Sequence, residues 1–260
     1  MAETRLYILI DEWASLPRDL QPYLAEFFKK GVLPIQRVTI KISALEYRCQ
    51  FSSETPIGAI GFELGADIST ATDLDDYFVF DRNPQKIASL YSDILFRHID
   101  NESPKEYLKH QYMMTSGETL ISQMFTEQKT FVELARASEG VIRDLINIFS
   151  MSFFNAQKRD RNKIDKKAVT ESARQWFEKD KAQYLTDHLG DLLQRIVADV
   201  IGSKKARSFL LRRNLEKHTD IQKLFDSRIL HLMQRGYADK DNPGVRYNIY
   251  SIDYGTYVDL

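Results

Sequence analysis

The sequence predicts an α/β segment, then a mainly helical region, then a carboxy-terminal module of helices closed by a β-hairpin. Three observations carry this division. The apolar run "LYILI" at Leu6–Ile10 has strand length and no polar break, the pattern of a strand buried on both faces of a parallel sheet. From Asn83 onward the hydrophobic period becomes helical and stays so for more than a hundred residues. After Gly236 the chain reads as extended, with the turn signal "DNPG" (Asp241–Gly244) ahead of "VRYNIYSI".

Each element follows from local chemistry. A helix is expected from Arg18 to Lys30, with Leu20, Tyr23, Leu24, Phe27 and Phe28 on one face, Pro17 near its start and Gly31 after its last turn. Strands are expected at Val38–Leu45, "VTIKISAL", and at Tyr77–Phe80, "YFVF", the second after a long polar connection that contains glycines. Strand, helix, strand argues a parallel α/β unit over residues 1–82. Helices at Pro84–His98, Lys105–Met114, Ser116–Arg136 and Val141–Lys158 make a helical domain over 83–183, in which "KRDRNKIDKK" (Lys158–Lys167) is a solvated loop. In the last domain, 184–260, one stripe runs through Leu189, Leu192, Leu193, Ile196, Val197, Val200 and Ile201. A second runs through Ile221, Leu224, Phe225, Ile229, Leu232 and Met233, and a basic helical segment, "SKKARSFLLRRN", lies between them. Three helices closed by a hairpin is the order of a winged helix.

Composition excludes several classes. With 43% hydrophobic and 28% charged residues in 260, the chain is an ordinary globular protein and not a disordered one. Its 36 basic and 37 acidic side chains nearly cancel, so bulk charge points to neither nucleic acid nor membrane. The single cysteine, Cys49, excludes an intramolecular disulfide framework and fits a reducing compartment, which makes a cytoplasmic location the expectation. No apolar stretch approaches the length of about twenty residues that spans a bilayer, and no membrane partner is expected. His98, His110, His188, His218 and His231 stand singly, without the paired spacing of a zinc site.

The first strand stops at two carboxylates, Asp11 and Glu12. At the carboxyl end of a parallel strand, an aspartate can hold Mg²⁺ through water while the adjacent glutamate polarises a water that attacks a γ-phosphate. An acidic pair in the turn after any strand looks the same, so the residues alone leave both readings open. "LYILIDEW" resembles the Walker B strand of the AAA+ ATPases, in particular the clade of origin-recognition and initiator ATPases and related signal-transduction ATPases, and "VTIKISAL" resembles the strand that follows it. "ASEGVIRDLINIF" (Ala137–Phe149) resembles their lid helix, and "KIDKKAVTESARQWF" the helix that closes the lid. The resemblance implies a partial parallel α/β core from Walker B onward, a helical lid and a C-terminal winged helix. It also implies Asp11 as Mg²⁺ ligand, Glu12 as catalytic base, and Ser43 and Arg143 as the two sensors of the nucleotide. An arginine finger donated to a neighbouring subunit of a homo-oligomer is implied as well, with Arg48 and Arg82 as candidates. Ser43 also reads as a simple strand end, and Arg143 as an amphipathic edge residue.

One feature of that family is missing from the sequence. No G-x-x-x-x-G-K-[ST] occurs, and "IGSKKARS" at Ile201 lies between expected helices and lacks the second glycine. Without this loop there are neither backbone N–H groups to cradle phosphates nor a lysine for the β- and γ-phosphates. ATP and Mg²⁺ are therefore implied as cofactors only with a complementing amino-terminal half, supplied by another chain or lost by truncation, and independent ATPase activity is not expected. Lys204, Lys205, Arg207, Arg212 and Arg213 form a basic segment, Arg228 sits on the expected recognition helix "TDIQKLFDSRILHLMQRG", and Arg246 flanks the expected wing. These are candidate DNA contacts. The alternative functions are a non-catalytic winged-helix DNA-binding adaptor and an unrelated Mg²⁺-dependent enzyme using Asp11 and Glu12.

Overall fold

The structure is a computed structural model describing residues 5–68, 72–74, 79–239 and 242–260. It is a mixed α/β protein whose chain divides into two compact units, Met1–Asp73 and Leu74–Leu260.

In the first unit, β1 (Leu6–Ile10), α1 (Gln21–Gly31) and β2 (Val38–Ile42) form a strand–helix–strand crossover. The two strands pair in parallel, from Leu6 opposite Val38 to Ile10 opposite Ile42. An antiparallel hairpin follows, β3 (Ser52–Thr55) and β4 (Gly58–Gly61). A small core forms around Trp13, Ala25 and Phe62, against which Ile10, Leu24, Phe28, Ile42 and Phe51 pack. The indole of Trp13 stacks on Phe51 with ring centroids 5.6 Å apart.

Three expectations for this unit change. The apolar run of β1 is not covered on both faces: Leu6, Tyr7 and Leu9 are 58%, 53% and 73% exposed. Only two described strands form its sheet, and the core lies on the face of Ile10 and Ile42, so the alternating Tyr7 and Leu9 stay in solvent, while Leu6, on the core face, lies at the strand's far end from that core. On α1 the buried positions are Gln21, Pro22 and Ala25, while Leu20, Tyr23 and Phe27 face outward. The hairpin β3–β4 lies in the segment read as a polar connection. Gly61 allows it, because a Cβ there would fall 2.1 Å from the carbonyl oxygen of Phe51. The strand expected at Tyr77–Phe80 lies in part outside the described residues, and Phe80 opens a 3₁₀ turn, Phe80–Arg82.

The second unit begins with α2 (Pro84–Glu102), capped by the side chain of Asn83, and α3 (Tyr107–Tyr112). The expected single helix over Ser116–Arg136 is two, α4 (Gly117–Met124) and α5 (Gln128–Ala137). The break falls at Phe125, which leaves helical geometry to bridge to Ile164 and buries its ring on Phe131 and Phe149. Then come α6 (Ile142–Gln157) and α7 (Lys166–Trp176), the latter N-capped by Asp165 and continued by a π-helical turn, Phe177–Lys181.

The carboxy-terminal part runs α8 (Asp187–Val197), β5 (Ser208–Arg212), α9 (Thr219–Asp226), β6 (Leu230–Ala238) and β7 (Arg246–Ile252). The strands form an antiparallel sheet in the order β5-β7-β6, so the last strand is central. Two helical expectations are corrected here. "SFLLR" in the basic segment is β5, paired to β7 from Ser208–Ser251 to Arg212–Tyr247. The expected recognition helix stops at Asp226, because Arg228 takes a left-handed conformation (φ 58°) and the chain leaves as β6. Ile229, Leu230 and Leu232 are buried in that extended segment, although the sequence sets this apolar stripe at helical spacing. One continuous core joins the helices to this sheet, from Tyr91, Phe131 and Leu145 to Leu224, Tyr250 and Ile252. No helix among the described residues is long and apolar enough to cross a membrane.

The tail returns over the helices. A Cβ on Gly255 would lie 2.6 Å from the carbonyl oxygen of Ala173 and 2.7 Å from Cβ of Phe177. Gly255→Ala should therefore lower the unfolding free energy by about 1–3 kcal/mol through overpacking. Gly190→Ala, in α8 with nothing within 4 Å of the new methyl, should raise it by about 0.5–1 kcal/mol. Urea unfolding of both variants checks the pair.

Candidate functional site

The register of β1 on β2 decides where the acidic pair lies. Ile10 opposite Ile42 puts the next residues, Asp11 and Ser43, side by side at the carboxyl end of the pair. The backbone ladder continues past both strands: Ser43 N–H donates to the Ile10 carbonyl at 2.9 Å, and Trp13 N–H donates to the Ser43 carbonyl at 3.2 Å. Ser43 Oγ donates to Asp11 Oδ1, and the same oxygen accepts the Glu12 N–H at 2.9 Å. The hydroxyl of Ser43, and after it that N–H, hold the Asp11 carboxyl below its ordinary value.

Glu12 takes a left-handed conformation (φ 53°) and opens the 3₁₀ turn Trp13–Ser15, where its Oε2 accepts the Ser15 hydroxyl at 3.2 Å. Trp13, fully buried, anchors that turn, so both carboxylates emerge into solvent from a fixed base. Among the described residues no three metal-ligating side chains converge. Both bonds to Asp11 use Oδ1. That leaves Oδ2 as an outward acceptor, which fits a hydrated Mg²⁺ ion that takes most of its ligands from water and phosphate.

The other expected site residues have distinct settings. Arg143 lies exposed in the first turn of α6, and its carbonyl accepts the side-chain amide of Asn147 at 2.8 Å. Arg82 donates to the Met233 carbonyl at 2.7 Å, and the Arg48 carbonyl accepts from Gln21. Lys205, Arg207, Arg212 and Arg213 are exposed. Lys204 is also exposed and pairs with Asp199 at 2.6 Å, while Arg246 donates to the Gly236 carbonyl at 3.2 Å. Arg228 is turned inward, its guanidinium donating to both Asp144 and Asp180.

That contact belongs to a buried ion relay with no sequence signature. Asp144, 0% exposed in the first turn of α6, meets Arg228 and, at 2.8 Å, Lys181 of the π-helical turn. Lys181, 2% exposed, also contacts Asp253 after β7, which in turn meets His231 of β6 at 3.4 Å. Burial alone would push the Lys181 ammonium down, but Asp253 and Asp144 carry it above its ordinary value. Burial likewise works against the Asp253 carboxylate, and Lys181 and His231 together outweigh it, holding it below its ordinary value. The partners come from four separated segments, so only the alternation of charge over a long sequence range could have hinted at them.

No protein-family model matches the chain, and no curated protein matches it. Removal of the Ser43 hydroxyl should return Asp11 toward ordinary acidity: in Ser43→Ala, NMR titration of the Asp11 carboxyl should show a higher midpoint than in the wild type, with the Glu12 N–H contact preserving part of the depression.

Proposed function

We propose that this chain carries the Walker B and sensor portion of an AAA+-type nucleotide site and acts on ATP when a phosphate loop is supplied from outside these 260 residues. The observation that carries the reading is the contact between Asp11 and Ser43 across a parallel strand pair, at the end of the sheet where such folds bind ligands. In this reading Asp11 holds a Mg²⁺ ion through water, and the ion would neutralise charge on the β- and γ-phosphates. Glu12 orients and deprotonates the attacking water. Ser43 reports the γ-phosphate through the same hydroxyl that now rests on Asp11, and Arg143 is the second sensor.

A second reading, a DNA-binding module, is favoured by exposed Lys205, Arg207, Arg212 and Arg213 next to a helix–strand–helix–strand–strand order with sheet β5-β7-β6, which supports a winged-helix reading of this part. Arg228 drops out of the contact set in this reading, since two carboxylates already hold it.

Two measurements test these readings. Titration of the purified chain with ATP should give no micromolar binding. Joining it to a segment encoded directly upstream that contains a strand and G-x-x-x-x-G-K-[ST] should create binding, with Glu12→Gln then cutting turnover by roughly 10²–10⁴-fold at unchanged affinity. Micromolar binding by the chain alone, or no such segment upstream, would sink the first reading. For the second, affinity for duplex DNA should fall steeply with salt, and neutralising Arg212 and Arg213 should flatten that dependence; a chain with no salt-sensitive DNA binding is not an adaptor of this kind.

A further inference from the structure

The two faces of the carboxy-terminal sheet differ in chemistry. On one, Tyr250 of the central strand β7 stacks on Phe209 of β5 at 6.3 Å and meets Phe225 of α9 edge-on at 6.4 Å, so this face belongs to the core. The other carries Tyr247 and Ile249, both half-buried. Register sets its rows. Leu210, Ile249 and Gln234 lie abreast on β5, β7 and β6, and in the next row Arg212, Tyr247 and Tyr237 do. Leu210 is 49% exposed and Tyr237 38%, and Arg212 and Arg213 are exposed as well.

Tyr237 reaches this row through a break in the strand pattern. An odd separation such as that of Gln234 from Tyr237 points two side chains of a regular strand to opposite faces. The pairing of β6 on β7 shifts register between them, and Gly236, in the left-handed region at φ 67°, accommodates the extra residue. Its N–H donates to the Asn248 side chain at 2.8 Å, which fixes the bulge. Across the pair, the Tyr247 hydroxyl donates to Asp239 at 3.3 Å and is held in place. Two phenol rings and a guanidinium therefore occupy three neighbouring strands on one open face.

We propose that this face binds single-stranded nucleic acid, with bases on Tyr237 and Tyr247 and the backbone along the edge formed by Arg212 and Arg213. An aromatic ring stacks on any unpaired base, and cations beside it neutralise the phosphates that join the bases. A duplex keeps its bases stacked inside and would offer the two rings nothing to stack on. Asp239 sets the polarity of the site, because its charge at the Tyr247 hydroxyl repels phosphate and leaves the β5 edge as the path of the backbone. The proposal is separate from the duplex reading, which relies on a recognition helix, since α9 packs against the opposite face of the sheet.

Fluorescence anisotropy of the full chain tests it, with labelled oligodeoxyuridine and oligouridine of about 16 nucleotides, which differ in the sugar. At least one strand should bind, more weakly as salt rises, and the tighter of the two names the sugar. Tyr237→Ala and Tyr247→Ala should each weaken binding roughly 5- to 150-fold, whereas Tyr237→Phe and Tyr247→Phe, which keep the ring, should stay near the wild type. Arg212→Gln should reduce the salt slope by about 0.7. Tyr184→Ala, at a tyrosine 65% exposed outside this sheet, should change nothing. Failure of both strands to bind at low salt overturns the proposal, as do alanine variants that bind like the wild type or a duplex of equal length that displaces the strand at equal concentration. Single-strand binding that depends on the rings, without duplex binding, upholds it and removes the duplex reading.

Discussion

Asp144 and Lys181 set the geometry on which the larger unit depends. Both are buried, and each needs two partners: Asp144 takes Arg228 and Lys181, and Lys181 takes Asp144 and Asp253. Buried charges of this kind add little net stability compared with apolar groups of the same shape, yet stripping one partner leaves an uncompensated charge and costs about 3–5 kcal/mol. Their consequence is positional. The start of α6, the π-helical turn after α7, the end of α9 and the exit of β7 cannot slip past one another without exposing a bare charge to an apolar surround. The apolar core that joins the helices to the three-stranded sheet attracts without direction, whereas the relay's paired charges are directional and tie those segments to one another.

The π-helical turn matters in this context. Continuing α7 with regular geometry would rotate Lys181 away from where Phe177–Lys181 now delivers it, between two aspartates. The same relay lies one residue from Arg143 and includes His231 of β6. An exposed arginine at a helix start is thereby fixed to the sheet that carries the exposed basic residues. In the smaller unit, the equivalent constraint is the parallel register of β1 and β2, because a slip by one residue would exchange faces and separate Asp11 from Ser43.

The expectations that failed share a cause. Helical spacing and strand alternation are distinguishable only over long windows, and in "TDIQKLFDSRILHLMQRG" the first half follows one period and the second half the other. The left-handed Arg228 between them is favoured by its two carboxylate partners, both distant in sequence, so nothing local announces the break. The division of Ser116–Arg136 at Phe125 has the same origin, since the ring is drawn into an aromatic cluster and no breaker residue marks the site. "SFLLR" reads as helix by its neighbours and becomes a strand because β7 offers it a free edge.

What the sequence determined by itself is the set of elements with strong local periods and punctuation: β1, β2, most helices of the middle region, and the final strand after its turn. It also placed Asp11 and Glu12 at a strand end, and supplied the pattern by which Ser43 was singled out. Tertiary structure decided which faces of β1 and α1 are bare, where helices give way to strands in the last third, and that Arg228 serves the interior. It also decided the existence of the relay. Local periodicity is written in neighbouring residues, but a buried charge is tolerated only where distant segments bring it a partner, and that balance appears once the chain has closed on itself.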